Sequence, residues 1–170
     1  MGMALVIAIA FELIVAVQSI VFLVAPLAGA LIGAYANVRA DRWRPMRRVF
    51  ANAAYAAFIT GVSLAVLYAV LRLVFVFADT GYRTPDQGGQ ISCQPGPECT
   101  YLRYVGEGYG PELAAAGVTD GASYGAYAIR EQVVGGAMLI MLTVAGGLVA
   151  AGVRSVRTPA GREATPAAGA

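Results

Sequence analysis

Three apolar runs, each long enough to cross a bilayer, constrain this chain more than any other feature. The first extends from Ala4 to Ala36 and carries one charge, Glu12. The second extends from Val49 to Ala78 and carries Arg72; the third, Val133 to Val153, carries none. A helix of about 20 apolar residues crosses a hydrocarbon core of ~30 Å. In lipid a backbone must satisfy its own polar groups, and three short segments cannot close a barrel, so these runs must be helices. The expected fold class is an all-α integral membrane protein: three transmembrane helices, with a small disulfide-containing extracytoplasmic cap between the second and third.

The segments follow from that frame. Residues 1–36 make the first transmembrane helix, with Pro26 the place to expect a kink, because proline deletes a donor and clashes with the preceding turn. Residues 37–48 form an Arg-rich cytoplasmic turn, 49–78 the second transmembrane helix, and 79–131 the cap. Residues 132–153 form the third transmembrane helix, and 154–170 a tail rich in Ala, Pro, Gly and Thr that reads as disordered. The N-terminal run lacks a positive leader and is much longer than a signal-peptide core, so it is read as a retained span.

Composition excludes the common alternatives. Charged residues are 13% of the chain, about half the usual ~25% of a soluble domain. All twelve cations are Arg and there is no His, which removes histidine-based catalysis and histidine metal ligands. Two Cys are too few for a closed zinc site. A net charge of +2 is too small for nucleic-acid binding. No metal, cofactor or catalytic residue is expected.

Charge placement orients the spans. The turn Asn37–Arg48 holds five Arg and one Asp, and the tail from Arg154 three Arg and one Glu. The segment from Asp79 to Glu131 holds three Arg against seven carboxylates. Positive segments stay cytoplasmic, so the N-terminus is expected outside and the C-terminus inside. In the turn, Arg39, Arg42, Trp43, Arg44, Arg47 and Arg48 form a cytoplasmic anchor for anionic lipid. Cys93 and Cys99 fall in the outer segment, where such a pair oxidises, and the Pro-Gly-Pro between them favours the turn that joins the sulfurs.

Helices meet in lipid through small and occasional polar side chains. On the first span, Glu12, Ala16, Ser19, Pro26, Ala30 and Gly33 share one stripe. A second face carries Gln18, Phe22, Ala25 and Gly29, and small residues recur every fourth position through Ala25, Gly29 and Gly33. That face serves helix packing within the chain or docking to another subunit. The second span offers Ala54, Ala57, Gly61, Ala65, Tyr68 and Arg72, the third Gly136, Ile140, Thr143, Gly147 and Ala151. Counted from the outer surface, Glu12 and Arg72 lie at similar depth, about 12 and 10 Å. An intramembrane ion pair Glu12–Arg72 is therefore expected, since an unpaired charge there is costly.

Within the cap, Cys99–Val105 reads as a short helix or strand and Pro111–Ala116 as one or two helical turns. Thr119 or Asp120 is placed to cap the third helix. Six tyrosines, Tyr82, Tyr101, Tyr104, Tyr109, Tyr124 and Tyr127, fit an aromatic belt at the lipid–water interface. No motif for phosphate cradling, dinucleotide binding or nucleophilic catalysis is present. The expected function is a non-catalytic accessory, assembly or scaffolding subunit of a membrane complex. The alternative is an oligomeric transporter or channel component using Glu12 and Arg72. Expected partners are the bilayer and other membrane subunits or copies of the chain. All-Arg cation usage with abundant Ala suggests a GC-rich bacterial genome, hence the bacterial inner membrane.

Overall fold

The computed structural model of the protein describes residues 2–38 and 45–157, and the side chains of 20–38 and 45–155. Its regular elements are α1 (Gly2–Val38), α2 (Met46–Phe77), a 3-10 turn (Pro85–Gln87), α3 (Pro97–Gly106), α4 (Gly110–Ala115) and α5 (Gly121–Arg157). No strand occurs among the described residues. Three stretches are long and apolar enough to cross a membrane: Ile20–Val38, Met46–Phe77 and Gly121–Ser155. The chain divides into two compact units, Met1–Val21 with Val62–Leu139, and Phe22–Gly61 with Ile140–Ala170.

In the second of these units the interior is made of small residues and the outside of large ones. On α1, Ala25 and Asn37 are buried, with Gly29 and Gly33 between them, while Leu23 is 75% and Leu31 74% exposed. On α2, Ala53 and Ala57 are fully buried and Tyr55 is 70% exposed. On α5, Thr143 and Ala151 are fully buried and Met141 and Val149 are exposed. Water would penalise so much continuous apolar surface; lipid does not, and there helix contact gains from close backbone approach instead.

The glycines show how close that approach is. A Cβ built on Gly29 would overlap the backbone carbonyl oxygen of Thr143, and one on Gly146 that of Pro26. A Cβ on Gly33 would stand 2.9 Å from Gly147 Cα. The positions a Cβ would take hold Cα hydrogens, so each glycine directs a C–H at, or packs it against, the facing backbone, a recurrent helix-interface contact. Partners advance together from Gly29/Thr143 to Gly33/Gly147, so α1 and α5 run parallel here. Along α2 they advance oppositely. Gly61 meets Ile140 and Thr143, and Gly147 meets Ala57 and the carbonyl of Ala53. α2 is therefore antiparallel to α5. Asn37 ties α1 to the start of α2, its amide nitrogen donating to the Gly33 and Val49 carbonyls, each at 3.1 Å.

Ala25, Gly29 and Gly33 thus pack inside the chain. On this face Gly29 meets α5, and Gly33 meets both α5 and α2. The inward stripe of α1 also differs from the Pro26–Ala30–Gly33 stripe. Ala30 is half-buried, and Ala25, Gly29, Gly33 and Asn37 are the buried set. The fourth-residue spacing of these residues presents the least bulk to α5.

In the other unit α5 begins at Gly121, ahead of the apolar run that starts near residue 132 and directly after the Thr119–Asp120 pair that the sequence offers as a cap. The cause is a reciprocal cap of the capping-box kind. The Ser123 amide donates to Asp120 Oδ1 at 2.7 Å, and the Asp120 amide donates to Ser123 Oγ at 3.0 Å. Asp120, not Thr119, is the capping side chain. The Ser123 amide holds the exposed Asp120 carboxyl below its ordinary value of 3.8. A depressed folded-state pKa means that the cap contributes fully above about pH 3.8 and is lost as pH falls through the lower folded value. A titration following the Ser123 amide resonance is expected to show its midpoint below 3.8. A midpoint at or above that value would contradict the cap, and Asp120→Ala should remove the transition altogether.

Candidate functional site

The site most heavily built by the sequence lies where α2 ends and the cap begins. The Ala78 amide still closes on the Val74 carbonyl at 2.9 Å, and Asp79 follows, two residues past the last residue of α2. Its carboxylate accepts from the Gly81 amide at 2.8 Å, an Asx turn that reverses the chain. That turn needs glycine: Gly81 has φ +71°, and a Cβ there would stand 2.6 Å from Cys93 Sγ. The same carboxylate binds Arg103 of α3 through two parallel bonds, Nη2 to Oδ1 at 2.8 Å and Nε to Oδ2 at 3.2 Å. This two-pronged geometry is the strong form of the Arg–carboxylate pair. The Thr100 hydroxyl stands 3.2 Å from both Asp79 Oδ2 and the Val76 carbonyl oxygen. The Gly96 amide donates to the Asp79 carbonyl at 2.6 Å.

Asp79 is 7% exposed and Arg103 15%. Both carboxylate oxygens accept from these donors. The arrangement is a clasp: through Asp79, Thr100 and Arg103 it fastens α3 to the end of α2. Cys93 and Cys99 are joined, with Cα atoms 5.2 Å apart, so the loop entering α3 is pinned to the first turn of the helix that carries Thr100 and Arg103. Gly121 lets α5 start against this turn, since a Cβ there would stand 2.6 Å from Glu98 Cα.

Above the clasp the tyrosines turn inward. Val76, Val118, Tyr124 and Ala128 form a small core, with Tyr101, Tyr104, Leu113 and Tyr127 against it. Ring centroids of Tyr104 lie 5.9 Å from Tyr124 and 5.8 Å from Tyr109, the latter edge-on. Tyr124 lies 6.5 Å from Tyr101 and 6.3 Å from Tyr127. These are favourable aromatic separations. The aromatic-belt expectation is corrected for these residues: Tyr124 is 5% exposed, and Tyr82 and Tyr109 are the cap tyrosines with well-exposed rings. A cap too small for an aliphatic core gains more burial per residue from rings than from methyls.

Of the remaining sequence-derived residues, Arg72 is half-buried and within electrostatic reach of the Tyr124 phenol. Arg47 and Arg48 stand exposed in the first turn of α2. The side chains of Glu12 and Gln18 lie outside the described residues, as do Arg39, Arg42, Trp43 and Arg44. Among the described residues no group of three or more Asp, Glu, Cys or His is placed to hold a metal ion.

Sequence reasoning missed the clasp and one further residue. The signal for the first was Asp79 directly after an apolar run, with Thr100 and Arg103 spaced to share a helix face. The second is Gln132 on α5, 3% exposed, whose amide nitrogen and oxygen both lack a hydrogen-bond partner among the described residues. The sequence matches no known family model, and neither curated proteins nor solved structures include one recognisably similar to it.

Proposed function

We propose that this chain is a non-catalytic, multi-pass membrane protein that serves as an accessory, assembly or scaffolding subunit of a larger membrane complex. The reading rests on one observation. Where α1, α2 and α5 pack together, Gly29, Gly33, Gly61, Gly146 and Gly147 bring backbones into direct contact, which leaves no width for a conduit between those helix segments. The clasp adds that the most elaborate polar group outside the spans is spent on holding the cap rather than on chemistry. In this reading the N-terminus lies outside and the C-terminus in the cytoplasm of a bacterial inner membrane. Arg39, Arg42, Trp43, Arg44, Arg47 and Arg48 anchor the inner side on anionic lipid, and Glu12 pairs with Arg72. With Ala25, Gly29 and Gly33 used internally, the cap and the outward apolar faces are what remain for a partner subunit.

The test is extraction from the expressing cells in mild detergent and determination of the native mass. Recovery with other membrane subunits at fixed stoichiometry is expected. A lone monomer would overturn the proposal. So would a homo-oligomer whose ion flux in vesicles disappears on Glu12→Gln.

A further inference from the structure

We propose that Gln132 holds a buried water molecule at the cap-side edge of the lipid core. An unanswered amide carries the argument. Gln132 sits on a helix apolar enough to cross a membrane and is 3% exposed. Neither its Nε2 nor its Oε1 has a hydrogen-bond partner among the described residues. A primary amide brings two donors and two acceptor sites, and leaving them all unmade in an apolar interior is strongly disfavoured. Ordered water is the usual partner of such groups when the protein supplies none.

The neighbours of the amide favour so small an occupant. Tyr124, Ala128, Gln132, Gly136 and Leu139 make the buried stripe of α5 in this unit, recurring at helical spacing. A Cβ on Gly136 would stand 3.4 Å from the Ala65 Cβ, and one on Gly125 would face Phe77. α2 and α5 are therefore antiparallel here, and one turn back from Gly136 brings Gln132 level with Ala69. Ala128 and Gly136 along α5, and Ala65 and Ala69 across from it, carry no side-chain polar atom with which to answer the amide. With so little of Gln132 open to the outside, a large ligand has no way in. Water is the smallest molecule that both donates and accepts.

Water is also at hand at this level. Arg130 and Glu131, both exposed, immediately precede Gln132, and no charge follows on α5 until Arg154. That uncharged run, about 22 residues and roughly 33 Å of helix, matches the thickness of one hydrocarbon core. Gln132 thus stands where α5 enters lipid, beside the interfacial water, rather than at the middle of the bilayer.

This site is separate from the clasp and depends on no partner subunit. Its test is solid-state NMR of the full-length chain in lipid vesicles, with magnetisation started on the water protons. The Gln132 Nε2 signal should build up about five-fold or more faster than the backbone amide of Leu139, which is fully buried on the same helix. A build-up as slow as that of Leu139 would overturn the proposal. So would faster transfer from lipid acyl protons than from water, since a lipid would then be the molecule that meets the amide. Gln132→Leu supplies the second readout. The backbone amides of Ala128 and Gly136 should receive water magnetisation faster than Leu139 in the native chain, and should fall to its rate in the variant, while Tyr124 keeps its chemical shifts. Unchanged fast build-up at 128 and 136 would show that Gln132 does not hold the water. The comparison within the native chain stands whether or not the variant folds.

Discussion

Replacing Gly29 by alanine is expected to cost at least about 3 kcal/mol of stability, at or beyond the top of the usual overpacking range. The added methyl has nowhere to go. It would overlap the carbonyl oxygen of Thr143 and approach Thr143 Cα within 3.0 Å, and these are backbone atoms on a helix with no rotamer to change. α1 and α5 must then separate, which breaks the neighbouring Gly33/Gly147 and Gly146/Pro26 contacts as well. Gly146→Ala, meeting Pro26 from the other side, should behave alike, and the two together should lose less than the sum because one separation relieves both. Gly152 provides the control. No atom lies within 4 Å of a Cβ there, so Gly152→Ala should be neutral or stabilising by up to about 1 kcal/mol through helix propensity. Unfolding titrations of the purified chain check all of these. A neutral Gly29→Ala would refute the close crossing and, with it, the reading that the bundle has no conduit there.

The second large effect is expected from Asp79. Asp79→Ala leaves the Arg103 guanidinium buried without its carboxylate and frees the Gly81 amide and the Thr100 hydroxyl. Removing one partner of a buried pair typically costs 3–5 kcal/mol. With Arg103 at 15% exposure, a value near the lower end, about 3 kcal/mol, is expected. The loss should be local. α3 should detach from the end of α2, and trypsin should gain access to the bond after Arg103, while the Gly29–Thr143 region keeps its protection from hydrogen exchange. Arg103→Lys should rescue only part of the loss, because an ammonium cannot make the two parallel bonds. If Asp79→Ala leaves the cap as protease-resistant as before, the clasp does not hold it.

The contrast between these two regions bears on what can be read from a chain like this. The apolar runs carry their meaning in their own length and composition. Residues 20–38, 46–77 and 121–155 are apolar enough to span whatever they pack against, and the Cys93–Cys99 pair is set by six residues of separation around a turn. The Asp120 cap is likewise local, three residues from donor to acceptor.

Relations between distant segments were not legible in the same way. α1 carries two stripes of small residues, and nothing within α1 says which faces inward; the glycines of α5 decide it, because backbone contact is open only where both helices lack side chains. Asp79 looks like one of seven carboxylates in a polar segment until α3 brings Thr100 and Arg103 against it from more than twenty residues away. The cap tyrosines fit an interfacial belt equally well until Val76, Val118 and Ala128 give them a surface to pack on. The sequence by itself therefore determined that the three long apolar segments are helices, and the disulfide, since these depend on near neighbours and on the solvent each segment prefers. Only the tertiary structure decided which faces meet, which charge becomes a clasp and which glutamine is left buried, since a contact energy belongs to two surfaces at once.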